Sequence, residues 1–106
     1  MALGFPANAS ESRRFSASPD AIGQAAVGVF QALGWQYTGS TPGLLLGKVG
    51  ISAMSWGEKL SVAIAPDGTV TVNSAGAFPL QWLDWGKNRR NCLKFLDALA
   101  QAVPRG

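Results

Sequence analysis

The chain has 106 residues, 47% of them hydrophobic and 14% charged, with a formal net charge of +3. So much apolar content in roughly one domain length excludes a charged disordered tail, and it lets one core close without metal or disulfide support. Histidine is absent and cysteine occurs once, which excludes nucleophile–histidine hydrolases, histidine-based acid–base catalysis and nearly all zinc sites; no cofactor or metal is expected.

Residues 1–10 mix Gly, Pro, Asn, Ala and Ser without pattern and read as a flexible lead-in to a single domain over residues 11–106. Glu11 to Ala17 alternates, with Arg13, Phe15 and Ala17 on one side, a weak strand signal. Ser18-Pro19-Asp20 is a helix start: a capping hydroxyl, a proline at the first helical position and an acid at the positive end of the dipole. Ile22, Ala25, Ala26, Val29, Phe30 and Leu33 follow at helical spacing, and Gly34 marks the stop.

Trp35 to Thr38 reads as a strand, Gly39 to Gly43 as a turn and Leu44 to Val49 as the returning strand. Gly50 to Ser55 is ambiguous. Trp56 to Ala65 reads as a longer strand with Leu60, Val62 and Ile64 inward. Pro66-Asp67-Gly68 is the strongest turn signal, and Thr69 to Asn73 returns with Val70 and Val72 inward. Ser74 to Leu83 is irregular but bulky, and is expected over an open end of the core. Asp84 caps a second helix whose stripe is Cys92, Phe95, Leu96, Leu99 and Val103, ended by Pro104. The order β-α-β-β-β-β-α predicts an α+β fold, a curved antiparallel five-stranded sheet with both helices packed on one face.

A lone cysteine within an apolar helical stripe reads as a small core residue of a reducing compartment. Met1 to Ser10 has no cationic region or apolar run of the signal-peptide kind, and no apolar stretch approaches the roughly 20 residues that cross a bilayer. The expected location is the cytoplasm of a bacterium-like cell.

The element order resembles one repeat of the TATA-binding-protein-like fold across residues 11–103. A second, local resemblance rests on Ser55-Trp56-Gly57-Glu58-Lys59 and Asp84-Trp85-Gly86-Lys87-Asn88, which look like a small uncharacterised bacterial domain family with WGEK and DWGKN motifs. That likeness implies that the two segments are a family signature and implies no activity. The TATA-binding protein reads DNA with its open sheet face, using basic and wedge-like apolar side chains. The outward residues expected here are Gln36, Thr38, Ser61, Ala63, Ala65, Thr69, Thr71 and Asn73. None of these is basic, which argues against nucleic acid as a partner.

Three constellations stand out. Lys87, Asn88, Arg89 and Arg90 open the second helix, where cations oppose the dipole unless Asp84 and Glu58, or a bound phosphate or carboxylate, offset them. Trp56-Gly57-Glu58 and Asp84-Trp85-Gly86 bring two Trp-Gly pairs that either line a pocket beside the cations or plug the rim of the sheet. Glu58 is expected to pair with Lys87 or Arg90 and fix helix docking. The third is the outer sheet face, with Ser61, Ala63, Ala65, Thr69 and Thr71 as interface candidates, either solvated or meeting a second copy or a protein partner. Together these point to a small non-enzymatic binding or interaction module that self-associates through the open face. The alternative is anion or phosphate-ligand binding at the start of the second helix.

Overall fold

The computed structural model describes residues 8–49, 58–76 and 87–103. The elements run β1 (Asn8–Arg14), α1 (Pro19–Ala32), β2 (Gln36–Thr41), β3 (Leu44–Val49), β4 (Glu58–Ile64), β5 (Thr69–Gly76) and α2 (Lys87–Ala102). The fold is α+β, with one antiparallel sheet of five strands in the order β1-β5-β4-β3-β2. β1 and β2 therefore form opposite edges, and α1 carries the chain from one to the other. No described helix is long and apolar enough to cross a membrane.

Both helices cover the same face. Leu45, Val49, Leu60, Val62, Val70 and Val72 point inward from the sheet and are buried against Ile22, Ala26, Val29 and Phe30 of α1 and Cys92, Phe95, Leu96 and Leu99 of α2. Phe15 and Trp35 pack partly buried on this core. The helices meet through aromatic rings: Phe95 stands edge-on to Phe30 at 5.1 Å between centroids and stacks on Trp35 at 6.2 Å. Offset and edge contacts of this kind suit the ring quadrupoles.

The α1 start forms as its residues require. Ser18 is the N-cap, its hydroxyl accepting from the Ala21 amide at 3.2 Å, with Pro19 opening the helix. Asp67 and Gly68 shape the β4–β5 hairpin. The Gly68 amide donates to the Ala65 carbonyl, and Gly68 has φ 92°, in the left-handed region. A Cβ there would also lie 2.3 Å from the Phe15 carbonyl oxygen, so only glycine fits. Thr69 donates its amide to the Asp67 carboxylate at 2.9 Å, which holds that carboxyl below its ordinary range.

Several strand ends differ from expectation. β1 begins at Asn8 rather than Glu11 and ends at Arg14 rather than Ala17, so the last residues of the expected lead-in are strand. β2 runs on through Gly39-Ser40-Thr41, leaving only Pro42-Gly43 as the turn, with an irregularity between Tyr37 and Gly39. β5 continues through Ser74 to Gly76 instead of stopping at Asn73. The extensions share a reason: the ladder needs backbone, not bulk, and small polar residues hold register once a neighbouring strand is in place. The ambiguous Gly50 to Ser55 segment and the bulky Ala77 to Leu83 stretch lie outside the described residues.

Candidate functional site

The open face differs from the neutral surface expected of it. Ser61, Ala63, Thr69 and Thr71 do lie there: Ser61 pairs with Asn73, Ala63 with Thr71, and Thr69 with Arg14. Ala65 sits half-buried just past β4, its amide donating to the Thr69 carbonyl. Thr71 also exchanges a hydroxyl hydrogen bond of 2.8 Å with Ser12 on β1. But strand alternation places Arg14, Lys48 and Lys59 on the same side. Lys48 and Lys59 are direct cross-strand partners on β3 and β4. Among the described residues no carboxylate shares that face: Glu11 and Glu58 point to the helix side, Asp20 and Asp97 are on helices, and Asp67 is in the turn. Like charges directly opposed across a ladder are destabilising, and among the described residues no carboxylate on that face offsets the Lys48–Lys59 pair. Arg14 lies at the far end of the face, opposite Thr69 where Lys59 is opposite Ala75, and it is met by Asp67, whose carbonyl accepts from its Nε at 3.2 Å. Thr38, Leu46, Lys48 and Lys59 wall a depression of about 210 Å³ over the strand backbone, and Leu46 is 41% exposed beside it.

A second feature is buried. Glu58, at the start of β4, faces inward in step with Leu60 and Val62 and is fully buried. Its Oε1 accepts from the Asn91 amide at 3.0 Å, and the same amide nitrogen lies 3.3 Å from the Ser74 hydroxyl. Ser74 donates in turn to Asn88 Oδ1 at 2.6 Å. Three elements, β4, β5 and α2, are thus joined by four buried polar side chains. Glu58 was expected to pair with Lys87 or Arg90; its described bond is to Asn91, one turn beyond Lys87 on the second helix. Arg90 is exposed, and the side chain of Lys87 lies outside the described residues.

Of the four residues expected to hold an anion at the start of α2, three have described side chains. Asn88 is buried in the polar network, Arg89 points its Nε toward Glu11 at 3.8 Å, and Arg90 is exposed. Trp56, Gly57, Asp84, Trp85 and Gly86 lie outside the described residues. No family model and no curated protein matches the chain.

Cys92 is fully buried, its thiol donating to the Val72 carbonyl at 3.3 Å. Burial first, then the nearby Glu11 charge, pushes the thiol up to about 11, so it packs as an inert core group.

The chain carried signals for two of the features that sequence reading missed. Glu58 shares the parity of Leu60, Val62 and Ile64, which marks it inward. Asn88 and Asn91 continue the Cys92–Phe95 stripe toward the N-terminus at helical spacing. The Lys48–Lys59 juxtaposition had no such signal, because register between β3 and β4 depends on pairing.

Proposed function

We propose that the protein is a non-enzymatic binding module whose open sheet face engages an acidic protein surface. The observation that carries this is the directly opposed Lys48–Lys59 pair, on a described face without carboxylates. A partner's carboxylates would relieve the repulsion and gain charge complementarity, which steers encounter and selects against wrong partners. Described aromatic rings are absent from this face, which favours acidic protein over single-stranded nucleic acid, whose bases need stacking platforms. A second copy of the chain fits less well, since a two-fold contact sets the same cationic patch against itself. The buried Glu58–Asn91–Ser74–Asn88 network supports reading the WGEK and DWGKN segments as a folding signature. A single buried thiol supports a reducing, cytoplasmic setting.

The test is titration of the full chain with a decaglutamate peptide by NMR. Saturable shifts centred on Lys48 and Lys59, lost on Lys48→Glu with unchanged or raised melting temperature, are the expected result. Binding of oligouridylate in preference to decaglutamate, or concentration-dependent dimerisation through this face, contradicts the proposal.

A further inference from the structure

The two edges of the sheet are built differently. β1 carries Glu11, Arg13 and Arg14 and lies beside α2, to which Arg13 is tied by an ion pair with Asp97 at 3.1 Å. β2 has the sequence Gln-Tyr-Thr-Gly-Ser-Thr, without a charge or a proline, and every residue except Gly39 is exposed. Edge strands offer unpaired N–H and C=O groups to any extended chain, and proteins ordinarily blunt them with charge, proline or cover. The irregularity between Tyr37 and Gly39 leaves Gly39 to Thr41 regularly paired to Leu46 to Leu44, so this stretch of β2 keeps regular strand pairing beside its outer edge.

A cleft of about 400 Å³ adjoins this edge, between the first half of α1 and the β2–β3 hairpin, on the helix side of the sheet. Val27, Leu45 and Ile64 give it apolar walls, and Asp20 and Tyr37 stand among its lining residues. Asp20 is the one ionised group among those residues. Such a cleft suits a side chain with a long alkyl stem and a cationic head, since lysine and arginine bury their stems while the charge stays near water. An aromatic face adds attraction for the same head.

We propose that β2 accepts an extended peptide segment as a sixth strand, and that one lysine or arginine of that segment enters the cleft. Main-chain hydrogen bonds to β2 supply affinity, and the cleft supplies selectivity for the cation, the division of labour usual in strand addition. The stem rests on Val27, Leu45 and Ile64, and the head lies against Asp20 and the Tyr37 ring. This site is on the opposite side of the sheet from Lys48 and Lys59, so each binding surface stands or falls separately.

The experiment uses the full chain, isotopically labelled, and a blocked Thr-Val-Lys-Val-Thr peptide as probe. Amide resonances of residues 36–41 should shift saturably, and their hydrogen exchange should slow by about tenfold or more when the peptide is in excess. Replacing the peptide lysine by norleucine should weaken binding by about fivefold, the scale of a partly exposed ion pair. Asp20→Asn should cost the lysine peptide the same factor and leave the norleucine peptide unaffected. A peptide with N-methylated backbone should not bind. Unmoved β2 amides at millimolar peptide, or equal binding of the N-methylated peptide, would overturn strand addition. Equal affinity for the lysine and norleucine peptides would overturn the cleft assignment.

Discussion

The β1–β5–α2 side of the molecule is closed, whereas the β2–β3–α1 side is open. On the closed side α2 is held by a buried polar network to Glu58 and Ser74, by the Cys92 thiol against the Val72 carbonyl, and at the rim by Arg13–Asp97 and Arg89–Glu11. On the open side α1 rests on the sheet through aliphatic and aromatic contacts, and a cleft separates its first half from the β2–β3 hairpin. The lesson is that a small sheet can secure one edge with directional bonds and leave the other available. Apolar contact sets how near α1 lies, while hydrogen bonds fix the register of α2.

The closed side is most vulnerable at its buried polar network. Asn91→Ala removes the bond to Glu58 Oε1 and the contact with Ser74, and leaves a buried carboxylate short of a donor. Chemical denaturation should show a loss of about 2–3 kcal/mol. An unchanged midpoint would mean that the closed side is held by packing alone.

Alkali tests the same side. The buried Cys92 thiol is pushed up to about 11, above its value in the unfolded chain, so its neutral form favours the fold. That contribution is complete below the unfolded value near 9 and is lost as pH rises toward 11. The wild type should lose up to about 2–3 kcal/mol more than Cys92→Ala across that window. Parallel pH profiles would show that the thiol does not titrate with unfolding.

On the open side the sensitive point is Gly47. It faces inward on β3, and a Cβ there would meet the Phe30 ring at 2.3 Å and the Gln36 carbonyl at 2.6 Å. Gly47→Ala should cost about 1–3 kcal/mol through forced displacement of Phe30, read as a lower melting temperature. It should also widen the spacing between α1 and the sheet. The smallest effect belongs to the exposed Arg13–Asp97 pair, with side chains 37% and 73% exposed. Arg13→Ala should change stability by about 0–1 kcal/mol, and added salt should shrink even that.

The helices were legible because their evidence is local. Ser18-Pro19-Asp20 caps α1, and Cys92, Phe95, Leu96 and Leu99 recur at one helical period. The central strands were legible from Leu60-Val62-Ile64 and Val70-Val72. β2 was half hidden, since Gly39-Ser40-Thr41 has the composition of a turn and is strand through its ladder with β3. The cationic face was missed for a related reason. Lys59 could be placed outward by alternation with Leu60, but its position opposite Lys48 depends on a pairing between strands that are separated in sequence by residues 50–57. The polar network joins positions up to 33 residues apart, a distance over which periodicity carries no information.

Native-state hydrogen exchange tests the division of the molecule most directly. Amides of β5, the centre of α2 and their partners in β4 should exchange through global unfolding alone, tracking the denaturant dependence of stability. Those of Gln36 to Thr41 should exchange orders of magnitude faster through local opening of the free edge. Equal protection of β2 and β5, or faster exchange from the centre of α2 than from β2, would contradict the picture of one secured side and one available side.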